Sequence, residues 1–212
     1  MSSVFEIRVC ESCGLRYPLT EGHSFGARCP VCLGMTNVVM KKQMGAETIL
    51  KEERKKKKEV KAVLLDNIRS AWNVGSILRS ADGLGFSHTF LCGITPTPEV
   101  DAVKKTALGA DEFVTWSYHK DAVTLVKGLK KEGWTIWALE EDERSIPLVK
   151  GGKQKAEKTV LIAGSEVTGV DPELLDLCDK IFYIPMLGGK KSFNVSVAFG
   201  VAGFVLSSQE AC

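Results

Sequence analysis

The sequence predicts an α/β domain with a mainly parallel sheet, carried behind a small cysteine-rich unit. The larger part is predicted from six short apolar runs, rich in β-branched and aromatic residues, that alternate with amphipathic stretches of helical period. The smaller part is predicted from two C-x2-C pairs near the N-terminus. With 212 residues and 44% hydrophobic content, the chain can hold one ordinary core and an appendage. The opening residues MSSVFEIRVC lack a basic start followed by a long apolar stretch, and no run of about 18 apolar residues occurs, so a cytoplasmic location is expected.

The cysteine pairs are Cys10 and Cys13 in "CESC" and Cys29 and Cys32 in "CPVC", with fifteen residues between them. Each pair presents two thiolates from a tight turn, and two such turns can surround a tetrahedral zinc ion at about 2.3 Å per sulfur. A disulfide framework competes, but the reducing compartment expected here disfavours it. Residues 1–40 are too few to bury an adequate core, so metal binding is expected to supply much of their folding free energy. With four cysteine ligands no position is left for water or substrate, which makes the metal structural. His23 lies between the pairs as an ordinary loop residue, and Cys92, Cys178 and Cys212 have no partner at metal spacing.

Net charge is only +2, but its distribution is uneven. From Lys41 to Lys61, "KKQMGAETILKEERKKKKEVK", nine basic residues face four acidic ones, so this segment carries +5 and the rest of the chain −3. Such a run is either a solvated stretch or an electrostatic arm for phosphates. The expected organisation is a zinc-ribbon-like unit over 1–40, a helical basic linker over 41–60 and the α/β domain over 61–212.

In that domain the expected strands are 61–66, 88–93, 112–116, 134–139, 159–164 and 180–185, and the expected helices 74–84, 99–107, 119–131, 171–178 and 195–208. Asp171 and Pro172 form a helix start signal, since Asp caps and Pro suits the first helical position. Neither G-x-G-x-x-G after the first strand nor G-x-x-x-x-G-K-[ST] is present, which disfavours a standard dinucleotide fold or P-loop enzyme. Instead "NVGSILRSAD", "GSEVTG" and "IPMLGGKKSFN" stand at strand ends, where open α/β sheets place ligands. Taken singly, each has a plain reading: Asn73 as a helix cap, Arg79 paired with Asp82, Glu166 in a loop, and Ser192 or Asn194 capping the last helix.

Together, the three clusters resemble the SpoU, or TrmH-like, branch of the SPOUT methyltransferases. N-x-G-x-x-x-R matches Asn73, Gly75 and Arg79; G-x-E-x-x-G matches Gly164, Glu166 and Gly169; and I-P-M-x-G-x-x-x-S-[LF]-N runs from Ile184 to Asn194. The resemblance covers about residues 61–210 and implies a C-terminal deep trefoil knot, a dimer with its active site completed near the subunit interface, and S-adenosylmethionine as cofactor. It assigns cofactor contacts, largely through backbone groups, to Gly164, Ile184 and Phe193, with Met186 close by; Phe193 stands where leucine is more usual.

The implied reaction is methyl transfer to a ribose 2′-hydroxyl of tRNA or rRNA. Arg79 is the residue the family assigns to activation, with Asn73 expected to orient Arg79 or the ribose, Glu166 to hold Arg79 or Asn73, and Ser192 with Asn194 to position substrate and cofactor. A guanidinium is effectively always protonated, so Arg79 is read as binding the substrate phosphate and lowering the hydroxyl pKa, with a phosphate oxygen, water or an unusually perturbed Arg79 taking the proton. Lys190 and Lys191 stand beside this site as candidate phosphate contacts. The alternative is a non-catalytic RNA-binding or ribosome-assembly protein on the same scaffold.

Overall fold

The computed structural model describes residues 4–43, 60–148 and 156–208, which fall into two compact units. Much of the basic linker, residues 44–59, lies outside the described residues, so its expected helix does too.

The first unit is a three-stranded antiparallel sheet of β1 (Val4–Cys10), β2 (Arg16–Thr20) and β3 (Thr36–Gln43), in the order β2-β1-β3. Among its described residues only Glu6, Cys10, Cys29 and Thr36 are buried, so the unit has no apolar core of its own. Its interior is polar: Arg8 binds Glu6 at 2.9 Å and the Thr36 hydroxyl at 2.9 Å, and Lys41 reaches Glu6 at 2.8 Å. A fold this thin needs a staple.

The second unit is a seven-stranded sheet, every pair parallel. Its elements are β4 (Val60–Asp66), α1 (Ala71–Gly83), β5 (His88–Cys92), α2 (Asp101–Ala107), β6 (Thr115–His119), α3 (Ala122–Lys131), β7 (Thr135–Leu139), β8 (Ile146–Pro147), β9 (Lys158–Ala163), α4 (Pro172–Leu177), β10 (Lys180–Tyr183) and α5 (Val195–Ser208). The strand order is β6-β5-β4-β9-β7-β10-β8. Side chains alternate across the sheet, so β4 sends Val63 and Leu65 into a core with α1 and α5, and Ala62 and Leu64 into a second core with α3 and α4. Asp171 caps α4 by accepting from the Glu173 amide at 2.8 Å, with Pro172 at the first helical position as expected. None of the described helices is long and apolar enough to cross a membrane.

Three expected elements are displaced, among them α3, which begins at Ala122 rather than 119 because β6 runs to His119 and Asp121 caps the helix. Helix α1 begins at Ala71 rather than 74, capped by Ser70, whose hydroxyl accepts from the Asn73 amide at 3.3 Å. Asn73 is thus inside the first turn, and its side chain is free for other work. The third expected strand, 112–116, shifts to Thr115–His119, because Ala110–Glu112 form a 3-10 turn that buries Val114.

Gly75 marks where α1 crosses α2: a Cβ there would lie 2.3 Å from the Val103 carbonyl oxygen and 2.0 Å from the Thr106 hydroxyl. Only a bare backbone allows this approach.

Candidate functional site

The C-terminal ends of β7, β9 and β10 open into one cleft of about 1140 Å³. The segment after β9 makes a tight turn, Ser165 and Gly169 exchanging amide-to-carbonyl bonds at 3.0 and 2.9 Å, with Gly169 at φ +72. Gly164 is pressed against it, since a Cβ would lie 2.3 Å from the Gly169 carbonyl carbon and from the Val170 nitrogen. Gly164 is therefore required by close backbone approach, and Gly169 by its left-handed φ.

The turn projects Glu166 toward the start of α1. Its carboxylate accepts from the Arg69 amide at 2.9 Å, the Ser70 amide at 3.2 Å and the Asn73 side-chain amide at 2.8 Å. Partial burial works against its charge, but these donors, the Arg69 amide foremost, outweigh it and hold the carboxyl below its ordinary value. A carboxylate at this helix N-terminus also complements the α1 dipole.

Asn73 carries the connection onward. Its carbonyl oxygen accepts from the Asn194 side-chain amide at 3.1 Å, and the Asn194 oxygen accepts from the Ser196 amide at 2.9 Å and hydroxyl at 2.7 Å. Asn194 therefore caps α5 and closes a Glu166–Asn73–Asn194 chain that joins all three motifs across residues 73 to 194. Both ends of the Asn73 carboxamide are used, which orients it without ambiguity.

Gly164, Ile184, Met186 and Phe193 all line the cleft, as do Glu166, Ser192 and Asn194. Ser192 is exposed, and among the described residues its side chain makes no hydrogen bond, so the cap falls to Asn194 alone. Lys190 and Lys191 are exposed on the same rim. Arg79 stands apart from this cluster. It is exposed on α1, six residues and about 9 Å of helix rise beyond Asn73, and it does not line the cleft. Sequence reading missed Ser70 and Glu140; the position of Glu140 just past an apolar strand, at the ligand end of the sheet, was the available signal.

In the first unit the four cysteine sulfurs lie within 4.8 Å of one another. Cys10 and Cys32 are 3.4 Å apart and Cys13 and Cys29 3.7 Å, close to the roughly 3.8 Å edge of a tetrahedron with zinc–sulfur bonds near 2.3 Å. Amides point at the sulfurs: Cys13 N is 3.5 Å from the Cys10 sulfur and Val31 N 3.4 Å from that of Cys29. The Cys13 amide helps to lower the Cys10 thiol to about 6, favouring the thiolate that a metal binds. The donor set fits zinc. His23 accepts from the Phe25 amide at 3.3 Å and stacks on its ring, an ordinary loop role.

The chain matches the SpoU rRNA Methylase family over residues 61–204, all in the second unit. It is 35% identical over 149 residues to the tRNA (guanosine(18)-2'-O)-methyltransferase of Thermus thermophilus, covering 69% of this chain and 74% of that protein. It is 30% identical over 165 residues to the 23S rRNA (guanosine-2'-O-)-methyltransferase RlmB of Coxiella burnetii, covering 73% and 61%. Its fold aligns with the A. aeolicus TrmH/SpoU tRNA modifying enzyme at a TM-score of 0.65 and 25% identity, over 72% of this chain and 76% of that one.

Proposed function

Because the chain belongs to the SpoU rRNA methylase family, we propose that it transfers the methyl group of S-adenosylmethionine to a ribose 2′-hydroxyl of tRNA or rRNA. The observation that carries this reading is the Glu166–Asn73–Asn194 chain at the mouth of a cleft lined by Gly164, Ile184, Met186 and Phe193. When bound, S-adenosylmethionine supplies an electrophilic methyl group. The residues around it must hold the hydroxyl in line, remove its proton and stabilise the developing charge.

Glu166 fixes Asn73, and Asn73 with Asn194 presents a rigid polar edge that orients the ribose. Ser192 adds a free hydroxyl on the same rim for substrate or cofactor. Arg79, which does not line the cleft of its own chain, reaches the reaction through the substrate: it binds the substrate phosphate and lowers the pKa of the hydroxyl, whose proton leaves to a phosphate oxygen or water. In this reading the C-terminal segment is threaded as a deep trefoil knot. The insertion of β10 between β7 and β8 and the packing of α5 against the α1 core support it.

The protein acts as a homodimer in this reading. Support comes from α5, whose Val197, Val201 and Phe204 are 50%, 37% and 63% exposed in one stripe. A Cβ on Gly200, beside that stripe, would meet nothing within 4 Å in its own chain, leaving room for a second backbone. The four cysteines hold a structural zinc, and the ribbon and basic linker grip RNA phosphates outside the active site.

Incubation with labelled S-adenosylmethionine and fractionated cellular RNA, followed by mass spectrometry of the nucleosides, tests the reaction. A 2′-O-methylated nucleoside in tRNA or rRNA is expected. Cofactor binding without methyl transfer to any RNA fraction would favour the non-catalytic alternative.

A further inference from the structure

None of the three motifs contains Glu140, yet this residue ties the cleft together. It follows β7 in the middle of the sheet, and its amide donates to the Phe182 carbonyl at 2.9 Å, prolonging the pairing with β10 just before Ile184. Its carboxylate turns the other way in function. One oxygen accepts from the Val170 amide at 2.9 Å and the other from the Glu141 amide at 3.0 Å. Gly169 is packed against it so closely that a Cβ would lie 2.4 Å from the first oxygen.

We propose that Glu140 is a positioning residue for the cofactor: its backbone fixes the strand that delivers Ile184 and its carboxylate clamps the turn that delivers Gly164 and Glu166. The inference rests on the S-adenosylmethionine reading of the cleft. Two walls of a pocket that binds largely through backbone groups must be held at a set separation, because a backbone donor or acceptor cannot swing to follow a ligand as a long side chain can. Glu140 is the group that touches both walls. A carboxylate suits the task because it only accepts, and both of its oxygens meet amide hydrogens. A carboxamide of the same size would turn an N–H toward one of those amides.

Glu140→Gln tests this with two readouts that need no turnover. Hydrogen exchange of the Val170 amide in the ligand-free protein should accelerate at least tenfold, and the calorimetric Kd for S-adenosylmethionine should rise at least tenfold, with the fold retained by circular dichroism. Glu143→Gln, an exposed carboxylate nearby, is the control and should change neither by more than twofold. If Glu140→Gln does not fold, Glu140→Asp takes its place under the same thresholds. Unchanged affinity, with or without faster Val170 exchange, overturns the proposal, the former case leaving Glu140 a purely structural clamp. Wild-type protein that binds no S-adenosylmethionine instead overturns the cofactor reading on which the proposal stands.

Discussion

Arg79 and Asn194 are both polar motif residues, but their surroundings predict different consequences of removing them. Arg79 is exposed and among the described residues its guanidinium makes no hydrogen bond or ion pair. Arg79→Ala should therefore leave thermal stability and cofactor affinity near wild type, while its proposed role on the substrate phosphate predicts that methyl transfer is abolished. Turnover within threefold of wild type would remove Arg79 from the catalytic set. Asn194→Ala should damage both properties, because the same side chain caps α5 and holds Asn73. A stability loss of about 1 kcal/mol, the usual worth of an N-cap, is expected alongside the loss of turnover. Denaturant unfolding and single-turnover assays on the two variants separate these effects.

Two elements make predictions of their own. Helix α5 contains two glycines, each costing about 1 kcal/mol of helix propensity relative to alanine. Gly203 is explained within the chain, since a Cβ would come 2.8 Å from Leu84 Cδ1 and 3.4 Å from the Phe86 ring. Gly200 has no such contact. Gly200→Ala should leave the monomer as stable or more so, yet weaken the dimer at least tenfold by sedimentation equilibrium. An unaltered dimer would place the subunit interface elsewhere.

Strand β6 is an edge strand held by a polar chain. The Thr115 hydroxyl donates to the Ser87 carbonyl at 2.8 Å, so it accepts from His88 Nδ1 at 2.7 Å; His88 Nε2 then accepts from the Ser117 hydroxyl at 2.8 Å, and Ser117 accepts from His119 Nε2 at 2.8 Å. This order requires a neutral His88, and burial, aided by the neighbouring His119, lowers the pKa of its imidazole below the ordinary value. The unfolded chain takes up that proton below about pH 6.5 whereas the folded chain resists it. The stabilisation is complete above about pH 6.5 and is lost as pH falls through the folded pKa. Thermal melts from pH 7.5 to 5 should show this loss, and His88→Gln should flatten the profile. Parallel profiles for the two proteins would contradict the assignment.

For the whole molecule, the proposed function assigns gripping to the first unit and chemistry to the second. Every motif residue and both apolar cores lie in the second unit, while the first has only four buried residues among those described. Strand β3 runs to Gln43, so a clean truncation removes residues 1–43. The remainder should fold and bind S-adenosylmethionine, but KM for RNA should rise and its salt dependence become shallower, because fewer phosphates are neutralised. Chelation of the proposed zinc should unfold the first unit alone and reproduce the same kinetic change. Unchanged KM and salt slope in the truncated protein would assign the ribbon to stability or protein contact instead.

Much of this architecture was legible because it depends on residue type at short spacing. Cysteines with two residues between them declare a knuckle, Asp171-Pro172 declares a helix start, and the apolar runs of β4, β5, β7, β9 and β10 declare buried strands. All of these are local, set by the chain's own covalent geometry and the transfer of apolar side chains out of water. Strand order, the shift of β6 and the cap of α1 were not legible. Ser70 and Asn73 are both capping types, and Ser70 takes the role because Glu166 and Asn194, 93 and 121 residues further along, claim the Asn73 side chain. Glu140 is likewise an unremarked carboxylate until the Val170 amide, thirty residues on, is brought to it. Sequence alone thus determined which segments are buried and which polar groups are available. Only the tertiary structure decided which of those groups meet, because a hydrogen bond is a matter of distances within a few tenths of an ångström between atoms whose separation along the chain carries no information.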